Sequence, residues 1–322
     1  MFFNLPGIPL GIFTAVQKLL PSFLAVHRDW LGQHQQDDGG FPGRNPGSSL
    51  YYSAFAARLL ALIGCSHASQ WQRLVGYLKR ELRDNGSVKS LVDLDSAVTL
   101  YALATIFADE DLSDVGEAIC EIGRSLLNSL ERDDGGFAKA PQSAVGSTYH
   151  TFLAIMAARL LELPLPDRDA LTRFFAARQR PDGGFVELPF LRNSGTNPTA
   201  AAVIALGQLE GLAAVDLDGV RRFFASVRRP DGGWAASAHV GESDLLSTCS
   251  TLISLSYLQE KDSQFDLDET ENYCLSLANV SGGFFGHSRD DQCDVEYTFY
   301  GILSLAALQV LKQRAVRSQS GG

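Results

Sequence analysis

Basic clusters, a cysteine framework and an uninterrupted hydrophobic span are all missing from this 322-residue sequence. Its 27 Lys and Arg face 37 Asp and Glu, a net charge of −10, and no Lys/Arg run is long enough to grip a phosphate backbone. Nucleic acid is therefore not an expected partner. The cysteines (Cys65, Cys120, Cys249, Cys274 and Cys293) are odd in number and contain no CxxC, which argues against a disulfide-stapled secreted fold. The expected compartment is the cytoplasm. The opening MFFNLPGIPLGIFTAVQKLL is apolar but lacks a basic leader, and Pro6 and Pro9 interrupt it. It is too short and broken to span a bilayer, so no transmembrane segment is expected and the stretch reads as an arm and first helix packed on the domain. P-loop, dinucleotide-fingerprint and serine-elbow motifs are absent as well.

What the sequence does have is a repeat. QQDDGGFPG, ERDDGGFAK, RQRPDGGFVE, VRRPDGGWAA and ANVSGGFFG place aromatic residues at Phe41, Phe137, Phe185, Trp234 and Phe284, spaced 96, 48, 49 and 50 residues apart. The first gap is two periods, with a degenerate copy, RDNGSVKS, around Gly86 at its middle. Six units of about 48 residues follow from that arithmetic. They fill residues 15–315 as one domain, with an N-terminal arm at 1–14 and a polar tail at 316–322.

Each unit starts with an amphipathic stretch such as LTRFFAARQR or VRRFFASVRR, which is stopped by a glycine turn. A polar loop follows, then a far more apolar segment such as SLYYSAFAARLLALIG, TYHTFLAIMAARLLEL or VEYTFYGILSLAALQVL. A helix apolar on every side must be buried on every side, so the second segment is an inner helix and the first an outer one. The last unit is as apolar as the first, without the polar caps of an open array. The pattern predicts an all-α (α/α)6 barrel. Large aromatics near the inner-helix starts, among them Tyr51, Tyr52, Phe55, Tyr101, Tyr149, Phe152, Phe299 and Tyr300, point to a central aromatic funnel.

The outer helix, DGGF turn, polar loop and apolar inner helix resemble the repeat of protein prenyltransferase β subunits, and of the squalene–hopene and other class II terpene cyclases. The resemblance implies an isoprenoid or similar apolar small molecule as ligand and, from the prenyltransferases, a helical protein partner. It also implies a catalytic zinc, held by Asp-X-Cys at the start of one late inner helix and Asp-X-X-His at the start of the next. Aligned on Ser254-Leu255, the first motif falls on Asp244 with Leu246 in the cysteine's place; in the second, Tyr297 stands where the histidine belongs. With one ligand of three retained, no zinc or other cofactor is expected. A rebuilt site would have to draw on Asp244, Cys293 and Glu296. The family's diphosphate-gripping basic residues are represented by AASAHVGES, whose only candidate cation is His239, with Arg44, Lys89, Lys139, Arg192 and Arg289 elsewhere on the expected rim. The six inner-helix N-termini are expected to add partial positive charge there.

The cyclase resemblance falls on Asp93-Leu94-Asp95-Ser96. It implies Asp95 as the proton donor of an Asp-X-Asp-Asp motif, with Asp93 before it and Ser96 replacing the last aspartate. The residues alone read differently, with Asp95 as an ordinary N-cap. The catalytic candidates are thus Asp93, Asp95 and Asp244. The rim candidates for substrate contact are His150, Asp294, Glu296 and Tyr297 beside the aromatic set. The functions in view are an isoprenoid-binding toroid of altered chemistry, a cyclase using Asp95, and a non-catalytic lipid- or protein-binding scaffold.

Overall fold

A computed structural model describes residues 8–64, 68–84, 86–258 and 265–320. Cys65 and the first seven residues of the expected arm lie outside that range. The helix α1 (Leu10–Val16) leads into six outer helices: α2 (Pro21–His34), α4 (Ala68–Asp84), α6 (Ser113–Leu130), α8 (Arg168–Ala176), α10 (Leu217–Val227) and α12 (Leu267–Ser276). Alternating with them are six inner helices: α3 (Leu50–Leu62), α5 (Leu91–Phe107), α7 (Thr148–Leu160), α9 (Thr196–Gln208), α11 (Leu245–Tyr257) and α13 (Val295–Ser320). Each inner helix packs on the next, and α13 packs back on α3. The expected closed (α/α)6 barrel is what forms. Among the described residues only isolated β-bridges occur, at the turns, and no single helix is long and apolar enough to cross a membrane.

The turn between outer and inner helix explains why DGGF recurs. In the third full copy Gly183 has φ +88°, a left-handed conformation, and a Cβ there would collide with the backbone of Gly219. Its neighbour Gly184 lies under the Phe223 ring of the next outer helix, where a Cβ would come within 2.6 Å. Asp182 accepts from the Gly184 N–H (3.0 Å) and from the Ser194 hydroxyl (2.8 Å). The aromatic that follows is buried completely, and its N–H donates to a Ser or Thr hydroxyl one turn inside the inner helix: Phe41 to Ser53, Phe137 to Thr151, Phe185 to Thr199, Trp234 to Thr248 and Phe284 to Thr298. The motif is a fastener, joining an outer helix, its own inner helix and the next outer helix.

The last of the five fasteners, in the sixth unit, closes the ring on the first. Gly283 sits against Trp30 of α2, and its N–H donates to Nδ1 of His27 at 3.0 Å. His27 stacks on Phe284 at 5.0 Å between ring centroids and is 2% exposed, and burial pushes its pKa down to about 4. Near the other end of α3, α1 packs on α13, and the Gln17 side chain donates to the Leu62 carbonyl. The expected arm is thus helical from Leu10, and α13 runs past the expected tail boundary to Ser320.

Candidate functional site

The N-caps fix the rotational phase of every inner helix. Ser49, Ser90, Ser147, Asp244 and Asp294 each accept from the backbone N–H three residues on, and Gly195 occupies the sixth cap position. Counted from those caps, the second, fifth, sixth and ninth residues of each helix share one face, because a helix brings i, i+3, i+4 and i+7 together. That face lines a central cavity of about 320 Å³. Apart from Ile8, every lining residue occupies one of these positions. The two such positions that do not reach the cavity surface, Ala54 and Thr99, are buried.

Six aromatic side chains contribute to the wall: Tyr51, Phe55, Tyr149, Phe152, Phe299 and Tyr300. They form edge-on pairs, Tyr51–Phe55 at 5.0 Å, Phe55–Phe299 at 5.4 Å and Phe55–Tyr300 at 5.4 Å between centroids. Aliphatic residues complete it, among them Met156, Ile204, Leu246, Ile253 and Leu303. The charged residues of the lining are Arg58, Asp95 and Glu296.

Asp95 and Glu296 are held very differently. Asp95 does not cap its helix, as the residues had suggested. Ser90 is the cap, and Asp95 lies a turn inside, where its Oδ2 accepts from Arg58 Nη2 at 2.8 Å in a largely buried ion pair. Arg58 also donates to the Thr99 hydroxyl (2.9 Å) and lies over the Phe55 ring. Glu296 has no ion-pair partner among the described residues. Its Oε1 accepts from the hydroxyls of Tyr51 (2.6 Å) and Tyr300 (3.2 Å), and burial raises its pKa above the usual glutamate value.

The other sequence candidates lie off this wall. Asp93 closes a capping box, its Oδ2 accepting from the Lys89 and Ser90 N–H groups and the Ser90 hydroxyl. Asp244 turns onto its own first turn, accepting from Ser247 N–H (2.7 Å) and hydroxyl (2.8 Å); burial raises its pKa. Asp294 caps α13 through the Tyr297 N–H and accepts from Arg44 Nε at 2.8 Å. Tyr52, His150 and Tyr297 are the third residues after their caps, which turns them away from the axis into the loops. Tyr52 fills the space left by Gly43, and Tyr297 packs at Gly286 beneath the Arg44 guanidinium. His150 Nδ1 is 2.7 Å from the Ser147 hydroxyl, which also bonds Glu187. Tyr101 lies far down α5 against Gly116 of α6.

The residues do not fit the zinc of the prenyltransferase resemblance. Asp244 and Glu296 are committed as described, and among the described residues no group of three His, Cys, Asp or Glu side chains is placed to hold a metal ion. Cys249, the thiol in the cavity wall, is pushed up to about 12 by burial, far from the thiolate a zinc ligand must be. The expected positive rim does not form either. Arg44 is bound to Asp290 and Asp294, Arg289 is bound to Glu242, and Lys89, Lys139 and Arg192 are exposed off the cavity.

Arg58 is the charged wall residue that sequence reasoning passed over. Its signal was a lone charge in the middle of SLYYSAFAARLLALIG, where no solvent-facing side exists to explain it.

No curated protein matches the sequence. Among solved structures, a Candida albicans protein geranylgeranyltransferase-I complexed with GGPP is similar at 17% identity, with 91% of this chain and 92% of that chain covered and a TM-score of 0.61. A type II terpene cyclase from Scytonema in complex with merosterolic acid A gives 14% identity, 94% and 99% coverage, and a TM-score of 0.59. An α-1,6-mannanase from Salegentibacter gives 12%, 90% and 99%, and 0.57. At these identities the likeness is one of fold, and a sugar hydrolase beside two isoprenoid enzymes shows how little fold alone says about chemistry. The sequence itself matches the prenyltransferase alpha-alpha toroid domain over residues 18–186 and again over 149–320. With the six-fold repeat, the closed ring and that match along nearly its whole length, the chain belongs to the prenyltransferase alpha-alpha toroid family.

Proposed function

We propose that the protein binds an isoprenoid chain in the central cavity and acts on it by proton-initiated carbocation chemistry, with Glu296 as the acid. One observation carries the reading: a half-buried carboxyl without a cationic partner stands in a wall of six aromatic rings. Burial favours its protonated form, and only a protonated carboxyl can donate. Asp95, the donor implied by the cyclase resemblance, is engaged by Arg58 as an acceptor and suits that role less well.

In the proposed step the Glu296 carboxyl proton adds to one carbon of a terminal alkene. The π pair becomes the new C–H bond, and the tertiary cation left behind faces the rings of Tyr51, Phe55, Phe299 and Tyr300, whose quadrupoles stabilise positive charge. A neighbouring alkene closes onto the cation, and a C–H proton is finally lost to water. Solvent reprotonates Glu296, so the product is an isomer of the substrate. The geranylgeranyltransferase and the terpene cyclase among the similar structures support isoprenoid as the ligand class.

The test is incubation with linear polyprenes of fifteen to thirty carbons (a range set by the probes) and product analysis by mass spectrometry. A cyclic isomer of unchanged mass is expected from the native protein and none from Glu296→Gln. Binding without turnover would reduce the reading to a carrier, and absence of binding would remove it.

A further inference from the structure

Resting on that reading, we infer that the cavity takes an uncharged isoprenoid, an alcohol or a hydrocarbon, and rejects prenyl diphosphates. The argument is a charge inventory of the wall. Arg58 is its one cation, and that charge is already matched by Asp95 at 2.8 Å, with Thr99 taking a further hydrogen bond. The remaining ionisable acid is Glu296, which repels an anion when charged and has no donor to spare for one except its proton. Arg44, a cation of the rim, holds Asp290 at 2.5 Å and Asp294 at 2.8 Å and does not line the cavity. A diphosphate entering here would meet no free counter-charge, and burying an unpaired anion is among the costliest events in a protein interior.

The helix N-termini do not supply what the side chains lack. Six of them open on the same rim, and exposed first-turn N–H groups would attract a phosphate. Here at least one N–H at each of the six is already taken. The caps Ser49, Ser90, Ser147, Asp244 and Asp294 each take an N–H of their own helix, and two of these caps are carboxylates. Neighbouring turns take more: Thr148 N–H donates to the Glu187 carbonyl, Thr196 N–H to that of Ala236 and Leu245 N–H to that of Gly286. Much of the hydrogen-bonding capacity that could have favoured an anion is thus spent within the protein, and carboxylates stand at two of the six N-termini.

The experiment measures dissociation constants for geranylgeraniol and geranylgeranyl diphosphate by calorimetry, on the native protein, Asp95→Asn and Glu296→Gln. The expected result is native binding of the alcohol at least about tenfold tighter than the diphosphate. Asp95→Asn releases the Arg58 charge, so within that variant diphosphate binding should gain about tenfold relative to alcohol binding. Glu296→Gln is the second variant in case Asp95→Asn does not fold; measured at a pH where the native Glu296 carboxyl is ionised, it should also narrow the gap by removing the like charge. Native binding of the diphosphate as tight as or tighter than the alcohol overturns the inference and leaves the isoprenoid reading standing. Binding of neither ligand removes both. A gap that neither folded variant narrows overturns the charge argument.

Discussion

Acidification should loosen the ring at one identifiable seam. His27 of α2 accepts the Gly283 N–H while stacked on Phe284, so the neutral imidazole is part of the joint between the last unit and the first. Its pKa is lowered from 6.5 to about 4 by burial. Between those values the unfolded chain binds the proton and the folded one does not, so stability rises with pH across the window and is lost as pH falls through it. Across that window the folded state loses about 2.5 kcal/mol between pH 7 and pH 4.5 from this residue alone. Protonation also converts Nδ1 from acceptor to donor, facing an N–H. The assay is urea denaturation of the native protein and His27→Gln at both pH values. Carboxylates titrate in both proteins, so the quantity that matters is the difference in their pH slopes. The variant should be less stable at pH 7 but lose about 2.5 kcal/mol less on acidification. Parallel slopes for the two proteins would refute the assignment of the seam to His27.

The buried Arg58–Asp95 pair makes a second prediction: Arg58→Met or Asp95→Leu alone should cost about 3–5 kcal/mol, whereas the double replacement should recover most of that loss in the same denaturation assay. Gly184→Ala should destabilise the toroid by about 1–3 kcal/mol, because its Cβ would lie 2.5 Å from Ser194 and 2.6 Å from the Phe223 ring; a melting temperature equal to the native one would show that the turn can yield.

The frame was legible in the sequence because its signals are local and repeated. A DGGF turn every 48 to 50 residues, followed by a helix without a polar face, leaves few architectures open, and the apolar last unit points to closure. The site was only half legible because it depends on helical phase. Tyr51 and Tyr52 are neighbours in an aromatic run, yet one faces the axis and the other a loop glycine, about 100° around the helix. The caps that set this phase, Ser49, Ser90 and Ser147, were visible, but the acidic Asp93 and Asp95 drew attention from Ser90 and shifted the apparent start of α5. Arg58 could not be given a role until α3 and α5 were adjacent, since its partner lies 37 residues away. Glu296 was visible as a rim acid; that two tyrosine hydroxyls, one from another helix, reach it is a matter of tertiary packing.

The residues that fasten the ring and those that face its axis do not overlap. Fastening falls to the turn glycines, the buried aromatic and the hydroxyl at the fourth position after five of the six caps, and the axis belongs to the second, fifth, sixth and ninth positions. The cavity therefore has something like cylindrical coordinates, with the helix giving the bearing and the position along it the depth. Outside the Arg58–Asp95 pair, a substitution at one address alters one spot of the wall without touching the hoop that holds it. Under such a division, inheritance can preserve the vessel while its contents are renegotiated, and a laboratory could do the same one address at a time.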